Sequence, residues 1–173
     1  IYMNNKITVF TDGACRGNPG RGGWGAIVID GKKVLELGGG EKRTTNNRME
    51  MTAAIKALLH TPKEAEIALY ADSYYLINGI TKWVNGWKKN GWKRNIWKTK
   101  TKEDVLNKDL WMKLDTLTSV RTIDWFHISG HAGIAGNERC DEIATAFADN
   151  EPVKLFDGSL EKYSIPNILE VNS

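Results

Sequence analysis

Four acids and one histidine are spaced so that they can work together. Asp12 closes a β-branched and aromatic run, Ile7-Thr8-Val9-Phe10-Thr11, and Asp72 closes a second run containing Ile67, Leu69 and Ala71. Glu50 stands at the start of one helical stretch, and Asp141 lies one turn into another. If the two strand runs are neighbours in a sheet, Asp12 and Asp72 fall at the same end of it. Four carboxylates converging there would repel one another unless a cation held them. Hard oxygen ligands of this kind suit Mg²⁺ or Mn²⁺. His131 sits in Ser129-Gly130-His131-Ala132-Gly133, ten residues before Asp141. An imidazole on such a glycine-flanked loop can move protons.

Each of these residues also has a plainer reading. Glu50 completes a capping box with Asn47. Asp72 caps a helix beginning at Ser73. Asp141 is a solvated helix acid, Asp12 opens a glycine turn, and a histidine between glycines is most often simply exposed. Only convergence of the acids separates the two accounts. The stretch Gly13-Ala14-Cys15-Arg16-Gly17-Asn18-Pro19-Gly20-Arg21-Gly22-Gly23 invites close backbone approach. It fits neither the dinucleotide fingerprint nor the P-loop, and no helix follows it directly, so both nucleotide readings are excluded.

The elements that must position these groups follow from periodicity. Residues 7–12 alternate as a strand. Trp24 to Ile29 reads as a second strand, Asp30-Gly31 as a hairpin turn, and Val34, Leu35 and Leu37 as a third strand. Thr44-Thr45-Asn46-Asn47 offers N-cap candidates for a helix with Met51, Ala54, Ile55 and Leu58 on one face. A strand over Ile67–Ala71 and a short helix over Ser73–Ile80 follow. Trp83 to Trp97 reads as a helix, a turn near Asn90-Gly91 and a loop. Asp104–Leu117 is helical, Thr122–Ile128 is the fifth strand, and Asn137–Ala148 is the last helix. A meander followed by strand–helix units predicts an α/β fold with a five-stranded mixed sheet, antiparallel then parallel, flanked by helices.

Bulk properties exclude other classes. The 173 residues, 41% hydrophobic and 26% charged, fit one soluble globular domain. No apolar run approaches the roughly 18 residues of a membrane span, and residues 1–6 lack the apolar core of a signal peptide. Cys15 and Cys140 form neither a disulfide framework nor metal-ligand spacing, so a reduced, cytoplasmic setting is expected, with no membrane partner. Lys82–Lys102 holds eight cationic residues and no acid; with a net charge of +3 the remainder carries −5. The positive charge is local and should attract a polyanion. Residues 150–173 are mostly polar, with Pro152 and Pro166, and read as an appended tail. It is either flexible or docked through Leu155, Phe156, Tyr163, Ile165, Ile168, Leu169 and Val171.

Together these motifs resemble ribonuclease H of the type 1 (HI) family. The matching residues are Thr11-Asp12-Gly13 with Gly17-Asn18-Pro19-Gly20, Thr44-Thr45-Asn46-Asn47-Arg48-Met49-Glu50, Asp72-Ser73, and Gly130-His131 with Gly136-Asn137-Glu138 and Asp141. They run in the family's order from about residue 6 to residue 149. The resemblance implies a ribonuclease-H-like fold in which residues 1–149 form the catalytic domain and 150–173 an extension. It implies cleavage of the RNA strand of an RNA–DNA hybrid, leaving 5′-phosphate and 3′-hydroxyl ends; a monomer is expected. It also implies two Mg²⁺ ions, with Mn²⁺ as a substitute, on Asp12, Glu50, Asp72 and Asp141. His131 would assist proton traffic or product release. Asn18, Asn46 and Glu50 would reach RNA 2′-hydroxyls, and Arg43, Thr45 and Asn107 would form a DNA phosphate pocket. The segment 82–102 matches the family's basic protrusion, with Lys88 and Lys89 on phosphates and Trp83 against a deoxyribose. The chain departs from the family pattern at Tyr74, where many relatives have glutamine, and in a lengthened Arg94–Thr101. Two other classes compete: a DNA-cutting enzyme of the wider fold, and a non-catalytic nucleic-acid-binding protein.

Overall fold

A computed structural model describes residues 6–129 and 132–171. Strands β1 (Ile7–Gly17), β2 (Gly20–Asp30) and β3 (Lys33–Thr44) form the antiparallel meander, with Gly31 at φ 59° in the β2–β3 turn. Helix α1 (Asn46–Leu59) leads to β4 (Glu66–Ala71), which pairs parallel to β1. Helix α2 (Tyr74–Asn78) runs through a π-helical turn, Gly79–Trp83, into α3 (Val84–Lys89). Strands β5 (Lys93–Ile96) and β6 (Thr101–Asp104) make a separate hairpin. Helix α4 (Lys108–Ser119), β7 (Thr122–His127), α5 (Ala135–Ala148) and β8 (Asp157–Ser159) complete the chain. Sheet order is β7-β4-β1-β2-β3-β8, so the sheet is mixed, as predicted, but has six strands rather than five.

Side chains alternate along β1 and β2, and each set enters a different core. Ile7, Val9, Ala26 and Val28 meet α1 and α4 residues such as Met51, Leu58, Trp111 and Leu114. Phe10, Ile27 and Ile29 meet Ile134 and Cys140 on the other face. Burying both faces explains why β2 is almost continuously apolar. Gly23 and Gly25 allow α5 to approach: a Cβ there would stand 2.2 Å from the Ala144 carbonyl oxygen and 2.5 Å from that of Cys140. Much of the glycine-rich stretch is strand, and the close approach it invites at these two glycines is that of the protein's own last helix.

The sixth strand comes from the tail. Residues 157–159 pair with β3, while Phe156, Leu160, Tyr163, Ile165 and buried Ile168 extend the second core. This covers an otherwise unpaired sheet edge. Behind it Glu36, only 4% exposed, accepts from Arg139 Nε at 2.6 Å and Nη2 at 3.0 Å, the Phe156 N–H at 2.9 Å and the Tyr163 hydroxyl at 2.9 Å.

Two boundaries differ from expectation for a common reason. Residues 101–104 pair back onto β5, so the stretch read as a loop is a hairpin and α4 starts only at Lys108. Asn107 takes the left-handed region, φ 58°, and Leu106 is exposed outside the helix. Among the described residues, no helix is long and apolar enough to cross a membrane.

Candidate active site

Thr11 of β1 is in register with Ala71, the last residue of β4, so Asp12 within β1 and Asp72 just past β4 come together where that pairing stops; β1 itself runs on to Gly17, so Asp12 does not close its strand as the sequence suggested. Helix α1 delivers the third acid. Its N-cap is Thr45, whose Oγ1 accepts from the Arg48 N–H at 3.3 Å, and Glu50 lies inside the helix, buried. Glu50 is thus not a capping-box residue. Carboxylate oxygens of Asp12, Glu50 and Asp72 lie within 4.8 Å of one another.

A cleft of about 700 Å³ opens over this cluster, and Asp141 lines it from α5, exposed, with Asn46, Asn137, Glu138 and Glu142. Three of the four predicted acids therefore form a tight group, and the fourth stands on its rim. Burial, then the charge of Asp72, pushes the Asp12 carboxyl up to about 7. Burial, then Asp12 and Asp72, raises Glu50 well above the usual carboxylate range. The Gly13 N–H donates to Asp12 Oδ1 at 2.8 Å, which fixes that carboxylate's orientation. Glu50 Oε2 is buried with no hydrogen-bond partner among the described residues. An orphaned buried oxygen beside two more carboxylates is what a hard divalent cation requires and what a bare protein avoids. The donor set fits such an ion.

Gly13 holds the group together. A Cβ on it would lie 2.4 Å from the Glu50 amide nitrogen and 2.7 Å from the Met49 carbonyl carbon. Backbone cannot yield there without moving α1. Gly13→Ala is expected to shift Glu50 away from Asp12 and lower metal-dependent turnover by about 10- to 100-fold, since small misplacements at a reacting centre cost that much. A variant with unaltered rate and metal affinity would show that the Asp12–Glu50 spacing is not limiting.

The other predicted residues fall into three groups. Asn18, at the β1–β2 turn, accepts from the Asn46 N–H at 3.2 Å, so the two meet at the N-terminus of α1. Thr45 and Asn107 are joined through Arg48, whose N–H reaches Thr45 and whose Nη1 reaches Asn107 Oδ1 at 3.4 Å; Arg43 is exposed on β3. Asn107 also donates to the Tyr75 hydroxyl at 3.0 Å. Trp83, 39% exposed, sits edge-on to Tyr75 and tilted against Trp87. Lys88 pairs with Asp115 at 3.0 Å, whereas Lys89 is exposed and makes no ion pair among the described residues. His131 lies outside the described residues.

Three contributors escaped sequence reading. Asn137, quoted in a motif but given no role, is buried, lines the cleft and leaves Oδ1 unpartnered among the described residues; its one-turn spacing from Asp141 was the available signal. Arg48 acts as a connector that no motif reading isolates. His127 ends β7 opposite Ala71, its Nε2 is 3.0 Å from the Asp72 carbonyl oxygen, and its ring stacks on exposed Tyr74 at 3.5 Å. Only the strand register reveals that pair.

Comparison with known proteins agrees with this geometry. The RNase H family profile matches residues 4–149. The chain is 57% identical over 141 residues to a ribonuclease H of Maricaulis maris, covering 81% of this chain and 91% of that one. It is 49% identical over 143 residues to a ribonuclease H of Halorhodospira halophila, covering 83% and 93%. Among solved structures it is similar to LC9-RNase H1, described as a type 1 RNase H with the type 2 active-site motif. That match has a TM-score of 0.75 and 26% identity, covering 98% of this chain and 85% of that one.

Proposed function

The chain belongs to the ribonuclease H family, and on that premise we propose that it hydrolyses the RNA strand of RNA–DNA hybrids, leaving 5′-phosphate and 3′-hydroxyl ends. The observation that carries this reading is the Asp12–Glu50–Asp72 cluster, with Asp12 and Glu50 buried and the Glu50 Oε2 unpartnered among the described residues. Two Mg²⁺ ions held there, or Mn²⁺ in their place, would supply charge stabilisation to the attacking and departing oxygens of an in-line displacement. Asp12, Glu50, Asp72 and Asp141 would hold these ions, Asp12 serving both, Glu50 and Asp72 the one on the leaving-group side and Asp141 the one on the water side. His131 assists proton traffic or product release.

Substrate choice is made at the sugar, because the 2′-hydroxyl distinguishes RNA from DNA. Asn18 spends its carbonyl oxygen on the Asn46 N–H, which leaves its NH₂ to donate to a ribose oxygen. Asn46 and Glu50 complete that face. Arg43, Thr45 and Asn107 cradle a DNA phosphate, with Arg48 holding the latter two in place. The catalytic unit spans residues 1–149 and works as a monomer in the cytoplasm, where the free thiols of Cys15 and Cys140 would persist.

A gel assay comparing RNA–DNA, RNA–RNA and DNA–DNA duplexes, each with Mg²⁺, Mn²⁺ or EDTA, tests the whole reading. Only the hybrid should be cut, and only with metal. Cleavage of duplex DNA would favour the wider fold's DNA enzymes, and no cleavage at all would favour a binding protein.

The basic segment supplies phosphate contacts, but its lysines are unequal. Asp115 and Asp104 already neutralise Lys88 and Lys93. Lys89→Ala should therefore reduce the slope of log K against log salt by about 1, with Lys88→Ala and Lys93→Ala each giving less. Equal slopes for wild type and Lys89→Ala, measured by fluorescence anisotropy across a salt series, would remove Lys89 from the interface.

A further inference from the structure

The β5–β6 hairpin carries a feature that hybrid cleavage does not use. Its stem is held by matched charges: Lys93 pairs with Asp104, Arg94 with Glu103 at 3.8 Å. Its base is fastened to the domain by the Val105 N–H, which donates to the Trp92 carbonyl at 2.9 Å, with Val105 buried in the main core. The tip is the opposite. Ile96 and Thr101 close a four-residue turn, Trp97-Lys98-Thr99-Lys100. Trp97 is 94% exposed. Among the described residues, Lys98, Lys100 and Lys102 make no ion pair and Trp97 no ring contact. Nothing in the stability of the hairpin calls for an uncovered indole or three uncompensated cations at its tip.

We propose that the turn around Trp97 is a binding site for an unpaired nucleotide of the nucleic acid, the indole stacking on the base while Lys98 and Lys100 neutralise its phosphates. Cations interleaved with an exposed aromatic fit single-stranded nucleic acid, whose bases offer π-faces that every stacking partner can use. Paired bases inside a duplex already have both faces covered by their neighbours, so the indole selects a strand beyond the paired region, such as a tail at a hybrid's end. The inference rests on the hybrid-binding reading above.

The test compares a blunt RNA–DNA hybrid with the same hybrid carrying a short single-stranded DNA tail, binding being measured in EDTA by fluorescence anisotropy. Wild type should bind the tailed hybrid about 5-fold or more tightly than the blunt one. Trp97→Ala should lose that advantage while binding and cutting the blunt hybrid as wild type does, and Trp97→Tyr should keep most of it. A tail of abasic sugars retains the phosphates and should lose the Trp97-dependent part. The proposal is overturned if wild type does not prefer the tail, if an abasic tail serves equally well, or if Trp97→Ala weakens blunt and tailed hybrids alike. The blunt hybrid separates the two readings: failure to bind or cut it overturns the proposed function. Trp97-dependent binding of a free single strand would in that case leave the hairpin site standing.

Discussion

Asp12→Asn is expected to abolish hybrid cleavage, by at least about 10³-fold, while leaving the fold intact, because on the proposed reading Asp12 would be a charged ligand to both ions and electrostatic stabilisers each carry effects of that order. The amide keeps an oxygen that still accepts the Gly13 N–H, so local geometry survives. What changes is charge. Asp12, Glu50 and Asp72 are crowded within 4.8 Å, and burial already pushes Asp12 up to about 7. Replacing one of these repelling acids by a neutral group relieves the cluster when no cation is present. In EDTA the variant should therefore melt no lower than wild type. Addition of Mg²⁺ should raise the wild-type melting point by binding to the folded state, and should raise that of Asp12→Asn much less. A clearly lower melting point for the variant in EDTA would mean that Asp12 has a structural role that the repulsion argument omits.

The acids were legible as residues, because Asp12 and Asp72 each follow an apolar run and Glu50 and Asp141 each sit early in a helical one. Their meeting was legible only as a condition, since β1 and β4 are joined through β2, β3 and α1 and pair only in the folded sheet. Glu50 was legible as a residue but not in its role: three positions after Asn47 it mimics a capping box, and only Thr45 taking the cap places it inside α1. The glycines misled because backbone approach is visible in sequence while the approaching partner is not. Gly13 makes room for Glu50, and Gly23 for α5. Lys88 and Lys93 looked like free cations because Asp115 and Asp104 are distant in sequence or lie across a hairpin that periodicity did not reveal. The tail defeated pattern reading most completely. Three residues of strand, Asp157–Ser159, carry no period of their own, and their partner is the edge of β3 more than 100 residues earlier.

That tail contact sets up the largest expected effect on stability. Glu36 projects from β3 with its side chain 2% exposed, and among the described residues its one cationic partner is Arg139 of α5, 19% exposed. Arg139→Ala strands a buried carboxylate, which typically costs about 3–5 kcal/mol and should lower the melting point by roughly 6–20 °C for a domain of this size. Arg139 also donates to the Lys154 carbonyl at 2.9 Å, so limited proteolysis of the variant should cut first within residues 150–160. Burial alone would raise the Glu36 carboxyl. The Arg139 guanidinium, the Phe156 N–H and the Tyr163 hydroxyl outweigh it and hold the group below its ordinary value of 4.5. A depressed acid contributes stability above its unfolded value and loses it as pH falls through the folded one. Wild type should consequently lose stability below about pH 4.5 more steeply than Glu36→Gln. Parallel acid-unfolding curves for the two proteins would show that Glu36 is not the group responsible. Arg139 lies two residues before Asp141 on α5, so the helix turns one side to the tail and the next toward the cleft. Loss of the latch should therefore raise the Mg²⁺ concentration needed for half-maximal cleavage while leaving the rate at saturating metal nearly unchanged. That split distinguishes a helix held less firmly from a catalytic group removed.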